Sequence, residues 1–330
     1  MRFLIAGFGS IGRRHLRNLL ALGETDIVLY RTHQSTLDNQ EIQAFPVETD
    51  LQHAFDRKPD AVIIANPTAL HLEVAIPAAK AGCHILFEKP VSHSLERMDE
   101  LKTALHSGGG EVLVGFQFRF HPGIRKVRDL LAENVIGVPI SVRGEWSEYL
   151  PDWHPWEDYR KSYSARPDLG GGVVLTLSHP LDYLRWLFGS VNSLWAHTAQ
   201  IPQLEIPVES TADIFMQYQS GTFGNLHLDY IRRPAAHRFE ITGTEGLIRW
   251  DNADGAVEVF EANQNRIQKF ELPQGFDRND LFLEELRHFI RVCKHEENPI
   301  CTLDDGIKTL ELALAVHQSG RDGKVQHFNI

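Results

Sequence analysis

Short unbroken apolar runs alternate with amphipathic stretches through the first 120 residues. Phe3-Leu4-Ile5-Ala6, Ile27-Val28-Leu29, Ala61-Val62-Ile63-Ile64-Ala65, Ile85-Leu86-Phe87 and Val112-Leu113-Val114 are each apolar at consecutive positions. A strand with one wet face would alternate, whereas a strand covered on both faces need not. Between these runs lie helical patterns. One is Arg13 to Leu22, with Leu16, Leu19 and Leu20 on one face; the others are Leu70 to Ala81, closed by Gly82, and Leu95 to His106. Five strands alternating with helices predict a parallel, doubly wound sheet in a domain spanning residues 1–120.

The pattern then changes. A helix ends at Leu130-Leu131-Ala132-Glu133, and Gly170-Gly171-Gly172 opens a predicted helix from Val173 to Phe188. Strands are expected at Ile140 to Glu148, Ser193 to Thr198, Thr211 to Tyr218, Thr222 to Tyr230, Arg238 to Thr242 and Leu247 to Trp250, with Gly221, Gly243 and Gly246 at turns. Short connections between consecutive strands predict a large open antiparallel sheet in an α+β domain over residues 121–330. Asn225, His227 and Asp229 alternate with Leu226, Leu228 and Tyr230, giving that sheet a polar and an apolar face. A sheet left open in this way suits assembly, so a homodimer or homotetramer is expected. Amphipathic helices at Leu281 to Lys294 and at Leu303 to Ser319, the latter capped by Thr302, read as scaffold.

Chemistry enters at the strand ends. The first strand runs into Gly7-Phe8-Gly9-Ser10-Ile11-Gly12 and then a helix. In a dinucleotide-binding reading Gly7 permits the tight turn, Gly9 lets pyrophosphate approach, and Gly12 lets helix and strand pack. The pyrophosphate would sit on the free N–H groups of the helix. The second strand ends in Tyr30-Arg31-Thr32-His33, where an NAD-binding chain carries a carboxylate for the ribose 2′-hydroxyl. An arginine beside hydroxyls suits a 2′-phosphate instead, which favours NADP, with NAD as the alternative. Asn66-Pro67-Thr68 would face the cofactor, and the fourth strand delivers Glu88-Lys89-Pro90 to the same edge. Lys89 is the expected proton-handling group, its pKa lowered by partial burial and a nearby nicotinamide.

With these pieces in order, the chain resembles the glucose-fructose oxidoreductase/inositol dehydrogenase/MocA family. The matching segments are the Gly7 to Gly12 turn, Ala65-Asn66-Pro67-Thr68 with His71, and Ala81-Gly82-Cys83-His84-Ile85-Leu86-Phe87-Glu88-Lys89-Pro90. Gln117-Phe118-Arg119-Phe120-His121-Pro122 is similar to the family's crossing segment. The resemblance implies a sugar-directed oxidoreductase in which hydride passes between nicotinamide and a secondary alcohol or ketone. It adds His71, Glu88 and Gln117 to the cofactor residues, with Lys89 the shared catalytic group. It makes His179, with Asp182 three residues on, the catalytic helix's proton relay, and gives Arg119 to substrate or nicotinamide. Where many members carry an aspartate four residues before that histidine, this chain has Leu175, followed by Thr176. Two rival readings keep the fold: a glycoside hydrolase using NAD transiently, and a non-catalytic dinucleotide sensor, which would need neither Lys89 nor His179.

The loop from Tyr149 through Trp153, Trp156 and Tyr159 to Tyr163 interleaves aromatics with Asp, His and Arg. Rings stack on the CH faces of a sugar while polar groups take its hydroxyls, so Trp153 and Tyr163 are candidate substrate contacts. Single-stranded nucleic acid would also stack there, but this loop carries Glu148, Asp152, Glu157 and Asp158 rather than a basic groove. The whole chain has 33 basic against 44 acidic residues, a formal net charge of −11, which argues against nucleic acid and anionic membranes as partners. No apolar stretch approaches the ~20 residues of a membrane span. Cys83, Cys293 and Cys301 form no CxxC pair, so neither metal nor disulfide is expected and the thiols read as buried in a reducing cytoplasm.

Overall fold

The apolar runs become strands whose carboxyl ends converge on one edge. In the computed structural model, which describes residues 1–32 and 42–328, these are β1 (Phe3–Ala6), α1 (Ser10–Ala21), β2 (Ile27–Tyr30), β3 (Val47–Glu48), α2 (Leu51–Asp56), β4 (Ala61–Ile64), α3 (His71–Lys80), β5 (His84–Glu88), α4 (Met98–Gly108) and β6 (Val112–Gly115). The sheet is wholly parallel in the order β3-β2-β1-β4-β5-β6. Strand order reverses between β1 and β4, where Ala6 pairs with Ile64. The turns after these two strands therefore lie side by side at the switch point, the place where such sheets bind ligands. The two-residue β3 makes a sixth strand, too short to leave a sequence pattern. The helix expected from Leu95 starts at Met98, because Arg97 takes a left-handed backbone (φ 63°).

The second unit is built from α5 (Pro122–Ala132), β7 (Pro139–Tyr149), α6 (Val173–Thr176), α7 (His179–Phe188), β8 (Val191–Ala199), β9 (Thr211–Tyr218), β10 (Phe223–Asp229), β11 (Ile231–Gly243), β12 (Gly246–Asp251), β13 (Val257–Glu261) and β14 (Arg266–Phe270). With β15 (Gln326–His327) they form a nine-stranded sheet ordered β14-β13-β12-β11-β7-β10-β9-β8-β15. It is not purely antiparallel, as the sequence suggested. β7 and β10 run parallel, from Ser141 beside Phe223 to Ser147 beside Asp229. A two-residue hairpin cannot join parallel strands, but the long connection through α6 and α7 can. β9 alternates cleanly, with Ala212, Ile214, Met216 and Tyr218 buried. The expected helix from Val173 to Phe188 is broken after Thr176. Leu177 leaves helical geometry (ψ 37°), and Pro180, with no N–H to donate, is accommodated in the first turn of the new helix.

The remaining helices are α8 (Arg278–Cys293) and α9 (Leu303–Asp322). The chain divides into a unit of residues 1–117 with 277–310, and another of 118–276 with 311–330. A second domain running uninterrupted over 121–330 misses this return, because α8 buries its apolar face on the first sheet. Its start is fixed by an Asp277/Asp280 capping box and by the Asn18–Asn279 amide pair, at 2.8 Å. Thr302 caps α9, its hydroxyl accepting from the Asp305 N–H at 3.2 Å. All three cysteines are buried, and none is in a disulfide among the described residues. Among the described residues no helix is long and apolar enough to cross a membrane.

One α8 residue breaks the apolar rule. Glu285 is 0% exposed, lies beside Gly115 of β6, and neither carboxyl oxygen has a hydrogen-bond partner among the described residues. Burial, and next the charge of Glu88, push its carboxyl well above the usual range, so it is held as the neutral acid. An acid with a raised folded pKa binds a proton that the unfolded chain releases, so its contribution to stability falls as pH rises above the unfolded value. Glu285→Gln, neutral at every pH, should therefore gain in Tm relative to the native chain between pH 4 and pH 8. A Tm difference that stays constant with pH in thermal denaturation would show that Glu285 is not held protonated.

Candidate active site

At the carboxyl edge of the first sheet, Gly7 has φ +98°, and a Cβ there would lie 2.4 Å from the Asn66 nitrogen. A Cβ on Gly12 would lie 2.1 Å from the Gly7 oxygen. Both glycines are thus required by the fold itself. Gly9 is different, since a Cβ there would meet nothing of the chain within 4 Å. The room above Gly9 is room for something other than protein. Gly9 also starts α1 without a side-chain cap, and the first turn has no acidic residue, so its N–H groups suit an anion. A dinucleotide pyrophosphate fits this cradle. Ser10 is exposed and Ile11 partly so, but Phe8 is buried with the Arg13 guanidinium 4.9 Å over its ring. Phe8 thus offers a ligand its backbone and keeps its ring in the core.

Arg31 follows β2 and is nearly buried, not a solvated loop residue; Thr32 beside it is exposed. His33 lies outside the described residues. The turn after β4 is braced from within. Asn66 Nδ2 donates to the Leu70 carbonyl, and His71 Nε2 lies 3.0 Å from the Asn66 carbonyl. Burial lowers the His71 pKa to about 4, so that imidazole is neutral and acts as a brace for the turn. Thr68 is buried and Pro67 partly so. Two sheltered acceptors are left without partners among the described residues, Asn66 Oδ1 and Gln117 Oε1, and both suit the amide-bearing end of a cofactor.

Glu88 ends β5 under a strong constraint. Burial alone would raise its carboxyl pKa, but the hydrogen bond and charge of His15, then the charge of Lys89, outweigh it and hold the group below the ordinary value. His15 Nε2 lies 2.8 Å from Glu88 Oε1 and is fully buried on α1. Lys89 is half-buried beside this carboxylate, followed by a cis bond to Pro90. Sequence reasoning missed His15 and Glu285. Each had a faint signal: His15 shares the inner face of α1 with Ile11 and Leu19, and Glu285 interrupts the apolar set Phe282, Leu286 and Phe289.

In the second unit, the turn after Gln117 is fastened to α7. Arg119 donates from Nε and Nη2 to the two carboxylate oxygens of Asp182, at 2.9 and 2.6 Å, with both side chains 1% exposed. Arg119, expected to hold substrate or nicotinamide, is instead enclosed in an internal ion pair. Asp182, expected to orient His179, accepts this fork on both oxygens. His179 starts α7 and is buried among rings, with Phe118 at 5.1 Å and Trp146 at 5.4 Å between centroids. Leu175 and Thr176 are both buried, so the position of the family's acid carries a packed aliphatic chain.

The aromatic loop forms short 3₁₀ turns at Leu150–Asp152, Tyr159–Lys161, Tyr163–Ala165 and Pro167–Leu169. Trp156 and Tyr163 are exposed, whereas Trp153 packs edge-on against Tyr230 at 5.6 Å. The Trp153 indole N–H is sheltered with no acceptor among the described residues, as a donor reserved for a hydroxyl would be. No group of three or more His, Cys, Asp or Glu side chains among the described residues is placed to hold a metal.

Comparison with known proteins agrees with this geometry. Residues 1–116 match the profile of an oxidoreductase family with an NAD-binding Rossmann fold, and residues 124–249 match the GFO/IDH/MocA C-terminal domain. The chain is 27% identical to myo-inositol 2-dehydrogenase of Thermotoga maritima, over 97% of this chain and 96% of that protein. It is 29% identical to 1,5-anhydro-D-fructose reductase of Ensifer adhaerens, over 80% and 78% of the two. Among solved structures, levoglucosan dehydrogenase in complex with NADH has the same fold, with a TM-score of 0.87 at 19% identity, covering 100% of this chain and 99% of that one. Matched in both halves and in order, the chain belongs to the Gfo/Idh/MocA family of oxidoreductases.

Proposed function

We propose that this protein is an NADP-preferring dehydrogenase or reductase that interconverts a secondary alcohol and a ketone on a sugar or sugar derivative. The observation that carries the reading is Lys89, half-buried at the end of β5 beside an ionised Glu88, on the sheet edge where Gly9 leaves room for a dinucleotide. The bound nicotinamide supplies the hydride acceptor or donor. Lys89 would take the hydroxyl proton as the alcohol is oxidised and return it to the same oxygen in reduction. His179 is the second proton-handling group, with the Arg119–Asp182 pair holding its helix. Trp153 and Tyr163 supply ring faces and a hydroxyl partner for the sugar. The relatives named above act on a cyclitol and an anhydro sugar, which supports the substrate class. Lys89→Met should bind cofactor normally, measured by fluorescence titration, yet lose at least ~100-fold in turnover across sugars and cyclitols. Near-native turnover would sink the role given to Lys89.

The preference for NADP rests on Arg31, which stands at the end of β2 where NAD-binding chains carry a carboxylate. Arg31→Ala should raise KM for NADP by roughly tenfold or more while changing KM for NAD little, as expected for a lost charge-assisted contact. Equal effects on both cofactors would argue against a 2′-phosphate contact.

Assembly as a homodimer or homotetramer in the cytoplasm completes the reading. The outward face of the nine-stranded sheet carries Trp195, Phe215 and Phe223, all exposed, with the Trp195 and Phe215 rings 5.8 Å apart. Such a patch favours a like surface, because a two-fold interface covers the same residues on both copies. Sedimentation should show a dimer or tetramer that Phe215→Glu dissociates. A native chain that sediments as a monomer at micromolar concentration would remove this part of the proposal.

A further inference from the structure

Two imidazoles pack against the indole of Trp146. The first is His237, its cross-strand partner on β11, with centroids 4.1 Å apart and planes 6° from parallel. The second is His179, at 5.4 Å and 26°. The Trp146 Nε1–H donates to Glu148 Oε1 at 2.7 Å, which pins the indole within its own plane. His237 is tied back to α7, with Nε2 3.2 Å from the hydroxyl of Tyr183, one turn along from His179. The stack therefore starts and ends on one helix and passes through two neighbouring strands. Phe118 stands edge-on to its three inner members, at 5.1 Å from His179, 5.6 Å from Trp146 and 4.8 Å from His237. Trp146 is 6% exposed and His179 2%, so neither ring can turn over without displacing the other.

We infer that Trp146 is a positioning residue for His179: its indole face, held by Glu148, fixes the plane from which that imidazole exchanges protons. The inference rests on the proton-handling reading of His179. An aromatic face also attracts the protonated imidazole more than the neutral one. An aliphatic side chain of similar bulk keeps the site dry but removes that attraction. The charged and titratable groups around His179 are the Arg119–Asp182 pair, Glu148 at the indole N–H, His237 and Tyr183 in the same ring cluster, and His121, stacked on Phe118 at 5.9 Å.

The test is to follow the His179 Cε1–H resonance in histidine-labelled protein, assigned by its loss in His179→Gln. The same proteins are assayed for kcat and KM against pH. In Trp146→Leu the His179 titration should move to lower pH by roughly half a unit, the loss expected for one cation–π contact. Turnover should fall about tenfold with KM for sugar little changed, as when a transition-state contact alone is lost. Trp146→Phe, which restores a ring face, should recover most of both. Should Trp146→Leu fail to fold by near-UV circular dichroism, Trp146→Met, a flexible aliphatic filler that also lacks a ring face, should show a shift of the same sign. An unmoved His179 titration in a folded variant overturns the positioning role whatever turnover does. A titration that moves while His179→Gln keeps native turnover leaves Trp146 as the residue that orients His179 and refutes the proton-handling reading instead.

Discussion

The Arg119–Asp182 ion pair is the contact on which the second unit turns. Two charges removed from water lose solvation worth several kcal/mol each, and only a close, two-pronged geometry restores it. The geometry here has that form, with both prongs under 3 Å. Once formed, such a pair cannot be half-kept: taking away one partner costs about 3–5 kcal/mol, because the other charge stays buried. The pair fixes the turn at residues 117–120 against α7, and everything else in the ring cluster follows. Phe118 is held at the centre of the stack, and His179 and Tyr183 are presented one turn apart. Trp186 on the same helix receives two guanidinium groups, Arg119 at 5.6 Å and Arg128 at 4.5 Å.

The first unit solves a related problem with acids. Glu88 and Glu285 approach one another in a buried region that can tolerate one negative charge but not two. His15 and Lys89 settle which carboxyl keeps it, so Glu88 stays ionised and Glu285 neutral. The result is a defined negative charge next to Lys89 at the end of β5, sheltered from solvent screening. A charge so placed is screened less than one at the surface.

Much of the first sheet was legible in the sequence because doubly covered strands need unbroken apolar runs, and β1, β2, β4, β5 and β6 have them. The fingerprint turn, the Asn66 turn and Lys89 were legible because their residue types have few other reasons to follow strands in that order. Pairing partners were not. That β7 lies beside β10 in parallel, that β13 and β14 extend the sheet, and that α8 packs on β6 are matters of long-range contact. β14 in particular is an exposed edge with little apolar content to betray it. Arg119 was misread for a similar reason: an arginine in a crossing segment looks like a ligand clamp until Asp182, sixty residues on, is placed against it. His15 and Glu285 were visible only as polar interruptions of apolar helix faces, a pattern that a surface residue in a slightly turned helix would also give.

The return of residues 277–310 to the first unit has a bearing on how the protein comes into being. The Rossmann sheet leaves the ribosome before residues 118–276, yet one of its covers is made only after them. Until α8 and the start of α9 arrive, the side of β6 that receives them has no partner. Val91 and Val114, against which Gly306 of α9 closes with no room for a side chain, stay uncovered for the same interval. The nascent chain therefore carries an unfinished domain while residues 118–276 are made, a state in which exposed apolar surface invites association or chaperone capture. A shortened chain lacking α8 would lose part of the dinucleotide domain along with what looks, in sequence order, like the distal end of its neighbour.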